Sequence, residues 1–217
     1  MLAAAREILG EPIKLVGASR TDAGVHALRQ VASLATMASL DAAALGRALN
    51  ATLPRDIRVL HAADAAPGFD ARRRAAGKRY AYVIDAGPVA SPLTRRYAWH
   101  VSRPLDAGAM RAALRPLVGR HDFSAFCAAA GREAGPYCHV RAIHVMRRRA
   151  RLAVLISADR FLHHMVRNIV GSAVAVGRGA KSPEWLRQVL DSRDRRLAGA
   201  TAPPHGLVLV RVRYAER

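Results

Sequence analysis

A chain of 217 residues, 51% of them hydrophobic, can bury one large core or two small ones, and none of its apolar runs is long enough to span a bilayer. Its 35 Lys and Arg against 16 Asp and Glu give a formal charge of +19, which points to a polyanionic partner and away from an acidic or membrane-embedded function. Two cysteines, Cys127 and Cys138, build no disulfide framework and lack the paired spacing of a zinc site, so no metal is expected.

In chain order, the first turns read as a helix closed by Gly10, and residues 13–18 as a short strand. A polar, Gly-containing loop over 19–26 follows. A second strand is expected over 28–35, a helix over 41–50 with Leu45 and Leu49 on one face, and a further strand over 57–63. The stretch 66–77, with Pro67, Gly68, Arg72, Arg73 and Arg74, changes character and reads as a connection. It separates an N-terminal lobe, 1–66, from a C-terminal lobe, 67–217. Residues 78–85 alternate and place Tyr80, Tyr82 and Ile84 on one face of a strand. A helix over 105–118, a loop over 121–135 and a hairpin of strands 140–148 and 152–158 come next. Helices are expected over 162–176 and from Ser182-Pro183-Glu184 to about Leu190, then a closing strand over 206–214. The sum is an α+β protein with strands grouped rather than alternating with helices. The opening residues, with Arg6 and Glu7, hold no hydrophobic signal core, so a soluble cytoplasmic protein is the expectation.

Three segments carry candidate chemistry. Thr21-Asp22-Ala23-Gly24 alone is turn chemistry, because Asp bonds nearby backbone and Gly supplies the tight φ. Its flanks add to this: a strand on each side would hold Asp22, between Arg20 and His26, on a rigid support. In the expected helix at 162–176, Phe161, Met165 and Ile169 fall on one face and Arg167 sits beside it. An Arg half-buried there wants a carboxylate or a phosphate, although taken in isolation a stem laid along the helix with its head in water is the more ordinary state. The neighbouring His163 and His164 make a poor chelate if helical, since adjacent helix residues point apart. Lys78-Arg79-Tyr80 puts an aromatic among cations, suited to stacking on a base while holding phosphates; plain sheet packing fits equally well.

GASRTDAGVHA, KRYAYVI, HDFSAF, FLHHMVRNIVG and APPHGLVLVRVRY occur in the order and approximate spacing of the TruA family of tRNA pseudouridine synthases, which the chain resembles from about Val16 to Tyr214. The first and fourth segments are highly specific. The resemblance implies two similar α/β lobes with a mixed, mainly antiparallel sheet, flanking helices and a catalytic cleft between the lobes. It matches Asp22 to the catalytic carboxylate, Arg167 to its partner and Tyr80 to the residue that stacks on the target uracil. Arg20 matches the residue that helps displace the target nucleotide; Lys78 and Arg79, the basic neighbours of Tyr80, are expected from residue type alone to bind substrate. The implied reaction isomerises uridine to pseudouridine at positions 38, 39 and 40 of the tRNA anticodon stem-loop. It needs no redox cofactor, nucleotide or metal. The implied assembly is a homodimer gripping tRNA, with Arg72-Arg73-Arg74, Arg95-Arg96, Arg147-Arg148-Arg149 and Arg193-Arg195-Arg196 as phosphate contacts.

The family normally opens with a strand and an aromatic, Gly-rich segment before its first helix. This chain is expected to be an N-terminally short version that starts inside that helix, and Ser19 replaces the usual Gly before Arg20. Two other functions are compatible with the charge: a catalytically impaired RNA-binding protein and a small basic structural protein. Retention of Asp22, Tyr80 and Arg167 together argues against both, since binding alone needs no acid in a basic groove.

Overall fold

The computed structural model describes residues 1–128 and 135–215. They form two compact units: Met1–Arg20 with Val31–Ala75, and Thr21–Gln30 with Ala76–Arg217. The chain passes from the smaller to the larger unit after Ala75, within the connection at 66–77, and residues 21–30 also belong to the larger one.

In the smaller unit, α1 (Leu2–Leu9) ends at Gly10, whose φ of 67° gives the left-handed cap expected of it. Helix α2 (Ala42–Thr52) starts at Asp41, whose carboxylate accepts from the N–H groups of Ala43 and Ala44. Ala5, Ile13, Leu49 and Leu53 form the core, with Ile8, Leu34, Leu45 and Val59 packed around them. The two strands expected here shrink to β1 (Val16–Gly17) and β3 (Ala32–Ser33), paired antiparallel. Residues 57–63 are extended but form no strand. The Asn50 side chain stands in for a strand neighbour there, donating to the Val59 carbonyl at 2.8 Å and accepting from the Val59 N–H at 2.7 Å.

The larger unit is built on a mixed, mainly antiparallel sheet. Its strands are β2 (His26–Ala27), β4 (Ala75–Asp85), β5 (Trp99–His100), β6 (Gly119–Asp122), β7 (Tyr137–Arg148), β8 (Arg151–Ala158) and β9 (Leu207–Tyr214). The order is β2-β9-β4-β8-β7-β6, with β5 on the end of β4. Strand β2 runs parallel to β9, pairing His26 with Val208 and Ala27 with Leu209. The β7–β8 hairpin and β4 follow their sequence patterns, and Tyr80, Tyr82 and Ile84 are buried together. The loop expected over 121–135 begins with β6 and a single 3₁₀ turn, Ser124–Phe126; its residues 129–134 lie outside the described ones.

Helix α3 (Ala107–Leu114), capped by Asp106, packs on β7 and on α4 (Met165–Gly177). Eleven of the 13 residues of α4 are buried, so it is a core helix enclosed on nearly all sides rather than a surface helix with one apolar stripe. Gly177 lets α3 approach: a Cβ there would meet the Met110 side chain at 2.9 Å. Helix α5 (Trp185–Ser192) completes the layer, buried through Leu186, Val189 and Leu190. Cys127 and Cys138 are both buried thiols, and burial pushes Cys138 up to about 11, as for an unreactive core cysteine. Among the described residues no helix is long and apolar enough to cross a membrane.

Candidate active site

Asp22 opens a tight turn. Its carbonyl accepts from the Val25 N–H at 3.0 Å, and Gly24 takes a φ of 81°. Any side chain at position 24 would be strained and would press on Pro204, with its Cβ 3.2 Å from the Pro204 Cγ. After the turn, β2 and the Leu28 N–H, which donates to Leu209 at 2.9 Å, tie the segment to β9. The turn chemistry legible in Thr21-Asp22-Ala23-Gly24 is real, and it serves to aim a carboxylate.

That carboxylate meets Arg167. The guanidinium Nη1 donates to Asp22 Oδ2 at 2.8 Å across 145 residues of sequence. Arg167 is held on a second side, where its Nε donates to the Ala202 carbonyl at 2.8 Å and its own carbonyl accepts from the Ala202 N–H at 3.1 Å. The next residue, Asn168, is clasped by Thr201 and Arg195 and donates to the Phe126 carbonyl. The guanidinium is therefore fixed by main chain as well as by charge, which preorganises it. Only 13% of the Arg167 side chain is exposed against 29% of Asp22, so the pair is shielded on the arginine side and open on the carboxylate side.

Two histidines complete the cluster. The expected helix over 162–176 begins only at Met165, because His164 adopts a left-handed conformation with a φ of 61°. Outside the helix, adjacent side chains are free to converge, which corrects the reading of this pair as divergent. The rings lie face to face at 3.9 Å, tilted by 36°. His163 Nε2 is 3.5 Å from Asp22 Oδ1, and His164 Nε2 is 3.2 Å from Oδ2. Burial holds His164 below its ordinary value; the nearby Asp22 opposes this, while His163, Arg167 and Arg195 reinforce it.

Tyr80 is 6% exposed and meets the edge of Phe161 at 5.1 Å, which ties it to the segment that carries the histidines. Arg79 donates to the Ser157 hydroxyl on the neighbouring strand, and Lys78 pairs in register with Ala158. Arg20 is exposed and belongs to the smaller unit. Tyr82, the other aromatic of the motif, is structural: its hydroxyl donates to the Pro203 carbonyl, its ring covers Gly206, and burial raises its phenol well above the usual range. The basic clusters divide. Arg195 turns inward to Asn168 and Thr201, and Arg196 pairs with Asp194, so that cluster is partly spent on structure. A cleft of about 230 Å³ lined by Thr94, Arg95, Trp99, His100 and His205 contains neither Asp22 nor Arg167.

Sequence reasoning on residue types missed the Ala202 carbonyl, which is main chain and carries no side-chain signal, and read Arg195, which holds Asn168, as a phosphate contact. Lysine at position 167 keeps the charge but cannot hold Ala202 and Asp22 in one planar fork. Arg167→Lys is expected to lower turnover about 10- to 100-fold with little change in KM, a pattern that steady-state kinetics would resolve.

A model of the tRNA pseudouridine synthase family matches residues 2–72 and 113–215. The chain is 41% identical over 211 residues to tRNA pseudouridine synthase A of Thermoanaerobacter sp. (strain X514), covering 97% of this chain and 86% of that protein. It is 42% identical to the Myxococcus xanthus protein of the same name, covering 96% and 79%. Against the Moorella thermoacetica protein, also so named, identity is 43% and coverage 98% and 86%.

Proposed function

Because the chain belongs to the tRNA pseudouridine synthase family, and is thereby an isomerase of tRNA uridine, we propose that it acts on positions 38, 39 and 40 of the anticodon stem-loop with Asp22 as its catalytic carboxylate. The observation that carries this reading is the Asp22–Arg167 pair: two residues 145 positions apart brought to 2.8 Å in a chain of net charge +19. An acid placed in a basic RNA-binding surface weakens RNA binding, so its retention beside a fixed guanidinium supports a chemical role.

Pseudouridine formation breaks the bond from C1′ to N1, turns the base, joins C5 to C1′ and releases the C5 proton. Asp22 acts as the nucleophile, and Arg167 orients it and balances its charge. A stem uridine must first leave its stack, at a cost of a few kcal/mol. Arg20 assists that exit, and Tyr80 offsets part of the cost by stacking on the uracil. Since Tyr80 is nearly buried, the base reaches it as neighbouring side chains part. Tyr80 also takes the C5 proton at the end, while Lys78 and Arg79 steady the flanking phosphates. The assembly is a homodimer working in the cytoplasm, and no cofactor enters the reaction.

Incubation of the purified chain with unmodified tRNA tritiated at uridine C5 tests the activity. Release of label from the anticodon stem-loop uridines is the expected result. A folded, RNA-binding sample that releases none would leave an RNA-binding protein in place of the enzyme.

A further inference from the structure

We propose that Asp22, His163 and His164 form a binding site for a zinc-class divalent cation, and that occupancy of this site switches the carboxylate off. The binding stands on geometry alone, whereas the effect on turnover rests on the function proposed above.

One ligand atom from each of the three residues lies within 4.8 Å of the other two. Two imidazole nitrogens and a carboxylate oxygen are donors that first-row divalent cations take. Tetrahedral bonds of about 2.0–2.2 Å set donor atoms roughly 3.4 Å apart. His163 Nε2 lies 3.5 Å from Oδ1, near that edge length, while the three donor atoms as a set stand within 4.8 Å of one another. Small side-chain rotations close the rest. The histidines come from one short non-helical segment and the acid from a constrained turn, so the donors are delivered by backbone rather than by long flexible side chains.

Arg167 is the rival cation, yet it engages Oδ2 and leaves Oδ1 on the His163 side. A metal ion on Oδ1 leaves the ion pair intact once the His164 ring turns from Oδ2 toward it. The partial exposure of all three residues, 42% for His163, 28% for His164 and 29% for Asp22, gives an ion access and leaves a fourth position to solvent. A coordinated carboxylate no longer has that oxygen lone pair free for attack. The imidazoles also set selectivity: Zn²⁺ and Co²⁺ accept nitrogen, whereas Mg²⁺, which accompanies folded RNA, prefers an all-oxygen shell and would pass this site by.

The test titrates Zn²⁺ into the full chain without RNA, against a chromophoric chelator. One equivalent should bind, unaffected by excess Mg²⁺, and Co²⁺ should give the visible bands of a low-coordinate site. His163→Asn/His164→Asn should weaken zinc by more than about 100-fold, beyond the cost of losing an outer hydrogen bond. If that variant does not fold, Asp22→Asn with Co²⁺ spectroscopy tests the same set. In the tritium assay, one bound equivalent should lower turnover more than about ten-fold, with recovery on adding chelator. Absence of stoichiometric binding, unchanged affinity in the variants, or full turnover with zinc bound would each overturn the proposal. A chain that binds zinc but releases no tritium fails the isomerase reading and keeps the site. One that turns over and ignores zinc does the reverse.

Discussion

Replacing Asp22 with asparagine is expected to cut tritium release from tRNA by at least about 10⁴-fold, the scale on which loss of a covalent catalyst acts. The amide has the same shape and keeps one oxygen for Arg167, so the turn and the pocket wall survive. Affinity for tRNA should hold or rise slightly at low salt, because a negative charge has left a basic surface. The two readouts together separate chemistry from binding. Turnover within about ten-fold of the wild type would remove Asp22 from the nucleophile's place.

The second large effect lies in the scaffold. Gly171 sits one helical turn beyond Arg167 on α4, where the chain 199–202 crosses the helix. A Cβ at 171 would land inside the Ala200 carbonyl oxygen and 3.2 Å from the Ala202 nitrogen, the same N–H that bonds Arg167. Glycine to alanine within a helix ordinarily stabilises, by up to about 1 kcal/mol. Here the sign should reverse. Gly171→Ala is expected to cost about 3 kcal/mol or more, lowering Tm by roughly 6–12 °C for a chain of this size. Surviving activity should also fall, since the displaced strap carries the Ala202 carbonyl. Gly46 on α2 is the comparison: its Cβ would make only ordinary contacts with Ala62 and Val59, so Gly46→Ala should be neutral or mildly stabilising. Equal melting temperatures for the two variants would refute the packing argument.

Elements with a strong period were legible in the sequence. Strand β4, the β7–β8 hairpin and β9 alternate over many residues, and the structure keeps them with small changes at their ends. The segment 57–63 misled because an extended, apolar pattern does not say what satisfies its backbone; at Val59 one asparagine side chain does so. The strands expected over 13–18 and 28–35 are shortened for a different reason. The chain between them divides its pairing, giving Ala32–Ser33 to β1 and His26–Ala27 to β9.

The pairing of Asp22 with Arg167 was expected through resemblance and hardly at all through local pattern. Nothing in residue spacing couples Asp22 to Arg167 across 145 positions. The convergence of His163 and His164 was hidden by a helix assumed to begin three residues too early, and a single left-handed residue decides it. The strap at 199–202 contributes main chain, so its part is written only as the small residues Gly199, Ala200 and Ala202 that let it lie close to α4.

The pairing of β2 with β9 has a temporal side. The turn that carries Asp22 is synthesised well before its strand partner at Val208 and Leu209. Until those residues emerge, the acid-bearing turn has no edge to dock on and Arg167 has no carboxylate to hold. Such late closure is slow in the way of all distant pairings.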